Sequence, residues 1–241
     1  MKTFVIGDIH GAYRALVQLV ERLSLDKGDT LIFLGDYVDG WSESPQVIDY
    51  LLELNRQFNC RFIRGNHDEK CYEWLKNNEI IGDWLLHGGG ATQESYAKVS
   101  AEKIAIHLKF IEDLDDYYID SKNRLFVHAG FTAAKGVEKE SYSPNFYWDR
   151  TLWECAFALD PTLKSTDKRY PERLKLYHEI YIGHTATTRF GEILPIQGGN
   201  LWNIDTGAAF YGKLTAMNVE SKEVIQSDIV MDLYPEELGR N

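Results

Sequence analysis

Six short apolar runs in this sequence each end in a cluster of Gly, Asp, Asn or His. Phe4-Val5-Ile6 runs into Gly7-Asp8-Ile9-His10-Gly11, residues 31–34 into Gly35-Asp36-Tyr37-Val38-Asp39, and residues 61–64 into Gly65-Asn66-His67-Asp68. Further on, residues 125–127 meet His128-Ala129-Gly130, residues 180–182 meet Gly183-His184-Thr185, and residues 201–204 meet Asp205-Thr206-Gly207. The groups delivered by Asp8, His10, Asp36, Asn66, His128 and His184 are carboxylates, imidazoles and an amide oxygen, with no thiolate among them. Six such ligands are too many for one tetrahedral zinc and suit two divalent ions sharing a carboxylate. Paired ions of that kind serve in-line displacement at phosphorus. A single Asp or His at a strand end is ordinarily a turn residue, but six in one context point to a common metal site. The other three histidines, His87, His107 and His178, read as ordinary loop or helix-surface residues.

These groups need a scaffold that brings strand ends together. Apolar runs bounded by turn residues predict buried strands. Helical spacing over residues 12–25 places Leu16, Leu19, Val20 and Leu23 on one face. A second helix over residues 45–58 opens with Ser44-Pro45, a cap followed by a first-turn proline. Two more are expected over residues 68–76 and 101–114. Strand–helix–strand alternation predicts parallel strands in the first half, where ligands collect beyond the carboxyl ends. After about residue 115, closely spaced strands with glycines at 191, 198, 199 and 212 predict an antiparallel second half. From spacing alone, the fold class is α/β. One domain over residues 1–241 is expected, with irregular substrate-side loops over residues 131–178 and a flexible tail over residues 235–241.

Composition bounds the partners. The 26 basic and 37 acidic residues give a net charge of −11, so neither nucleic acid nor an anionic membrane is a natural partner. An anionic substrate then requires a local source of positive charge. Three cysteines without CxxC spacing read as reduced thiols. The acidic, His-containing start predicts no secretory leader, no apolar run approaches the length of a membrane helix, and the expected location is cytoplasmic.

The ordered motifs Gly7-Asp8-Ile9-His10-Gly11, Gly35-Asp36-Tyr37-Val38-Asp39, Arg64-Gly65-Asn66-His67-Asp68, His128-Ala129-Gly130 and Gly183-His184-Thr185 resemble those of the phosphoprotein phosphatase branch of the calcineurin-like metallophosphoesterases. Residues 84–92 and Ile204-Asp205-Thr206-Gly207 resemble bacterial and phage members in particular. The resemblance implies a mixed two-sheet β-sandwich flanked by helices. It implies that Asp8, His10 and Asp36 hold a first metal, with Asp36 bridging, and that Asn66, His128 and His184 complete a second. A water activated between the metals would attack phosphorus in line. His67, backed by Asp39, would protonate the leaving oxygen. Manganese is the first expectation for the two ions, with iron or zinc as the others.

One position departs from the pattern. The family motif continues past Asp39 with an arginine that grips phosphate, and here that position is Gly40, followed by Trp41. The remaining candidates for phosphate binding are Asn66, Arg150 and Arg64, with pairing to Asp149 as the bland reading of Arg150. Gly40 is expected to loosen the grip and to open room beside Trp41 for a bulkier leaving group. The leading expectation is a protein serine/threonine (or tyrosine) phosphatase, with a phosphorylated protein or small phosphoester as substrate. The second is hydrolysis of a dinucleoside polyphosphate, and the third a non-catalytic phosphate-binding scaffold.

Overall fold

The structure, a computed structural model, describes residues 1–240. Strands form at the apolar runs: Thr3–Ile6 (β1), Thr30–Phe33 (β2), Asn59–Phe62 (β3), Tyr117–Ile119 (β4), Arg124–Val127 (β5), Glu179–Ile182 (β6), Ile196–Gly198 (β7), Leu201–Asn203 (β8), Lys213–Asn218 (β9) and Val224–Ile229 (β10). They make two five-stranded sheets, ordered β10-β9-β1-β2-β3 and β4-β5-β6-β8-β7. Helices Tyr13–Arg22 (α1) and Ser44–Gln57 (α2) carry the chain between β1, β2 and β3, which pair in parallel. Successive residues of a strand face opposite ways, and here both faces are covered. Phe4 and Ile6 pack with the helices beside the first sheet, whereas Val5 joins Ile32, Leu34, Phe126, Tyr181, Ile204 and Met217 between the sheets. Burial on both faces explains why the runs of β1, β2, β5 and β6 are nearly continuously apolar, whereas β3, at the sheet edge, is not buried. The fold is the α/β sandwich flanked by helices that the sequence motifs imply.

Four helices form close to their expected bounds, the third and fourth of these being Asn66–Asn77 (α3) and, after Gly89–Tyr96 (α4), Ala101–Glu112 (α5). The hydroxyl of Ser100 caps α5 by accepting from the Lys103 amide. α3 starts two residues earlier than the spacing suggests, so Asn66 and His67 lie in its first turn rather than in the loop before it.

Three expectations are corrected. The second half is antiparallel only in part: β4 pairs antiparallel with β5, β7 with β8, and β9 with β1 and β10, but β5, β6 and β8 run parallel. The irregular stretch over residues 131–178, with its short helices, is long enough to return the chain for a parallel pairing, which a tight turn cannot do. His107 is not on a surface. It is fully buried, between the Tyr96 hydroxyl at 2.9 Å and the Asp49 carboxylate at 3.1 Å. The tail is anchored over residues 235–240: Ser42 donates to the Glu237 carboxylate through its amide and its hydroxyl, and the Arg240 amide donates to Ala209 O at 2.9 Å. Residue 241 lies outside the described residues. Among the described residues no helix is long and apolar enough to cross a membrane.

Candidate metal centre

The six parallel strands β1, β2, β3, β5, β6 and β8 are each followed directly by a polar cluster. The sandwich brings the six clusters together at one edge. Two of the histidines there are oriented by their Nδ1 atoms. His10 Nδ1 faces Asp39 O at 2.9 Å and His128 Nδ1 faces Leu34 O at 2.8 Å, which leaves both Nε2 atoms to the site. Asp36 lies between them: its Oδ2 is 3.5 Å from His10 Nε2 and 3.4 Å from His128 Nε2. Its other oxygen accepts the His67 backbone N–H at 2.9 Å. One carboxylate oxygen is thereby fixed, and the other faces both imidazoles.

The second half of the cluster is as tightly drawn. Asn66 Oδ1 is 3.2 Å from His128 Nε2 and 2.9 Å from His184 Nδ1. Asp8 Oδ2 accepts the His184 N–H at 3.0 Å and lies 3.9 Å from His10 Nε2. Ligand atoms of His10, Asp36 and His67 lie within 4.8 Å of one another, as do those of Asp36, His128 and His184. The backbone bends sharply to achieve this. His10, Asp36, Asp39 and His184 all have positive φ, between 52° and 70°, a region that non-glycine residues seldom occupy and that marks functional sites. Glycine is required where the clusters touch, since a Cβ at Gly183 would overlap the Asp8 carboxylate and one at Gly65 the Asp36 carboxylate.

Electrostatics favour cations here. Burial, together with Asp205 and Asp36, pushes Asp8 well above the usual carboxylate range, and burial raises Asp205 to about 6. Burial also opposes ionisation of Asp36, but the imidazoles of His128, His67 and His10 hold it well below the usual range. Burial disfavours the charged form of His128, yet Asp36 and Asp8 push it up to about 10. Burial lowers His10 and His184, keeping both imidazoles neutral. Asp8 Oδ1 and His184 Nε2 are buried without a hydrogen-bond partner. Crowded carboxylates, neutral imidazoles and orphaned donor atoms fit divalent cations, which would relieve the repulsion and use the free lone pairs.

Beside this cluster His67 Nδ1 pairs with Asp39 Oδ2 at 2.7 Å. The Asp39 carboxylate also accepts from the Trp84 indole N–H and from the Thr92 hydroxyl. Sequence reasoning identified the pair but not its braces, which lie some 50 residues away in the chain. Asp68 is a further brace. Its carboxylate accepts the amides of Asp36, Tyr37 and Gly65 at 2.8–2.9 Å, joining the ends of β2 and β3.

A cavity of about 250 Å³ opens over the centre, lined by His10, Asp36, Asn66, His67, His184 and Asp205 together with Lys70, Arg150, Arg189 and Arg240. Arg150 does not pair with Asp149, which instead caps the Thr151 and Leu152 amides; its Nη1 donates to Thr185 Oγ1 at 2.6 Å. Arg64 is a correction. It does not line the cavity, because its guanidinium is held by Glu69 at 2.7 Å and by Glu112 O. Trp41 does not line the cavity over the centre. Trp41 is fully buried and donates to Ala208 O at 2.8 Å. Lys70, Arg189, Arg240 and Asp205 join the site as residues that sequence reasoning does not identify.

Comparison with known proteins agrees with this geometry. Residues 1–193 match the calcineurin-like phosphoesterase family. Similar curated proteins include the bis(5'-nucleosyl)-tetraphosphatase PrpE [asymmetrical] of Oceanobacillus iheyensis, 29% identical over 93% of this chain and 91% of that protein. The protein of the same name in Geobacillus thermodenitrificans is 29% identical over 96% of each chain. In fold, the chain resembles a serine/threonine protein phosphatase from Saccharomyces cerevisiae with a TM-score of 0.61, at 16% identity over 94% of this chain and 79% of that one. The chain belongs to the calcineurin-like phosphoesterase family.

Proposed function

We propose that this chain hydrolyses dinucleoside polyphosphates in a metal-dependent reaction. The observation that carries the reading is the set of cations around the cavity. Arg150, Arg189 and Arg240 all line it, and among the described residues none of the three has a carboxylate within ion-pair distance. Three unpaired arginines are unexpected in a chain of charge −11, and more than one phosphoryl group between two metal ions needs. A run of phosphates would engage them all. The exposed indole of Trp148 at the same cavity offers a face for a base. A phosphoprotein ranks first on sequence alone because these cations are scattered along the chain; folding collects them. The names of the relatives support the same choice.

Asp8, His10 and Asp36 on one side, and Asn66, His128 and His184 with Asp36 on the other, would hold two divalent ions. Such ions, when bound, neutralise phosphoryl oxygens and lower the pKa of a water. The remaining work falls to this chain's own groups. Arg150, steadied by Thr185, would clamp a phosphoryl group. His67, whose Nδ1 is tied to the Asp39 carboxylate, would hold a proton on Nε2 and pass it to the leaving oxygen. Asp39, braced by Trp84 and Thr92, would fix the ring's tautomer and direction.

The test is a comparison of kcat/KM for diadenosine tetraphosphate and a phosphoserine peptide under manganese. The dinucleotide should be preferred by about tenfold or more, with ATP and AMP as products. Preference for the phosphopeptide would overturn the reading.

A further inference from the structure

Arg240 has no evident structural task. Its Nε is buried without a hydrogen-bond partner, and its guanidinium lies over the Phe210 ring, 5.3 Å from the centroid. Its Nη1 stands 3.5 Å from His10 Nε2, at the lining of the cavity. The segment that carries it is nevertheless seated firmly. Tyr234 stacks on Trp41 with ring centroids 5.0 Å apart, Glu237 accepts twice from Ser42, and the Arg240 amide donates to Ala209 O. Gly239 rests against the Trp41 indole so closely that a Cβ there would strike it.

The seat is built by the same loop that lacks a side chain at position 40. Gly40 has φ +120°, which an L side chain adopts only under strain. A Cβ there would point at Arg240 Cγ, 3.2 Å away, and come equally close to His10 O. The stem of Arg240 therefore fills the space that a residue at position 40 would enter. Trp41 and Ser42, next in the chain, hold the segment that brings it.

We propose that Arg240 is a phosphate-binding residue, delivering its guanidinium across some 200 residues of sequence to the face of the centre nearest His10. Its ligand is a phosphoryl oxyanion, bound by charge-assisted hydrogen bonds. The inference rests on the phosphoester reading of this cavity and does not depend on the dinucleotide.

The test is calorimetric binding of inorganic phosphate to manganese-loaded protein, compared between wild type, Arg240→Gln, Arg240→Lys and Arg240→Ala. Arg240→Gln should weaken phosphate binding by about 10- to 100-fold, the worth of a hydrogen bond to a charged group. Arg240→Lys should recover part of it, and millimolar guanidinium should restore binding to Arg240→Ala. Manganese affinity should stay constant across the series. A second, indirect variant, Ser42→Ala with Glu237→Gln, should weaken phosphate binding to a smaller degree by loosening the seat. Phosphate affinity within about twofold of wild type in Arg240→Gln, or a parallel loss of manganese, would overturn the assignment. Turnover of para-nitrophenyl phosphate by wild type reports separately on the phosphoester reading. An active wild type with an indifferent Arg240→Gln sinks only the role of Arg240.

Discussion

His67 and Asp39 are joined at 2.7 Å, Nδ1 to Oδ2, with the carboxylate completely buried. Two further donors, Trp84 and Thr92, converge on the same carboxylate. An acceptor so fully engaged can neither turn nor release the imidazole, and the second ring nitrogen of His67 is left to the cavity.

If that nitrogen protonates the leaving oxygen, replacing His67 should hurt poor leaving groups most. His67→Asn should lower kcat by about 10²–10⁴-fold for phenyl phosphate and by clearly less for para-nitrophenyl phosphate. Asp39→Asn should show the same leaving-group pattern. Equal losses on the two substrates would assign the pair a purely structural role.

Metal removal should cost stability as well as activity. Without cations, Asp8, Asp36 and Asp205 repel one another in a buried site. Manganese at about a hundred times its dissociation constant should stabilise the fold by about 2.7 kcal/mol, raising the melting temperature by about 5–10 °C. Asp36→Asn, which removes the oxygen shared by His10 and His128, should abolish the rise. A manganese-independent melting curve for wild type would contradict this.

A pH effect should appear outside the cavity lining, at Glu140. Partial burial works against ionisation, but its carboxylate accepts from the Thr132 amide and hydroxyl and from the amides of Ala133 and Tyr142, which hold it down to about 2 from an ordinary 4.5. A depressed carboxylate stabilises the fold fully above its unfolded value and loses that contribution as pH falls through the folded one. Glu140→Gln should lower the melting temperature at neutral pH by about 2–4 °C, discounted for exposure. The gap to wild type should close between about pH 4.5 and 2. A gap that persists unchanged through that window would show that the charge is irrelevant.

Trp41 couples stability to the cavity. It fills the core, stacks on Tyr234 and backs Gly239. Trp41→Leu should cost about 2–4 kcal/mol, and phosphate binding should weaken with it as the segment bearing Arg240 loosens. Thermal unfolding and phosphate calorimetry on one sample check both. Lost stability with phosphate binding intact would uncouple the segment from the site.

The sequence makes this centre legible because strand-end chemistry is local: an apolar run and the polar residues after it are neighbours in the chain. The same locality marks Asn66, His67, His128 and His184 as strand-end groups. What was not legible depends on distant contacts. Arg64 opens the site motif yet turns away, since Glu69 and Glu112 O hold it. Arg240 sits about 200 residues from Gly40 yet occupies its side of the cavity. The parallel centre of the second sheet was equally hidden, because spacing reports how long a connection is but not on which side it returns. His107 carries no local sign of burial; its partners, Tyr96 and Asp49, come from α4 and α2.

The central claim is that two divalent ions, held by these six residues, are needed for hydrolysis. Manganese titrated into chelator-stripped protein, while diadenosine tetraphosphate cleavage is followed, tests it most directly. The account predicts no turnover in the stripped protein and activity that saturates at two equivalents per chain. Turnover without metal, or saturation at a single equivalent, would contradict it.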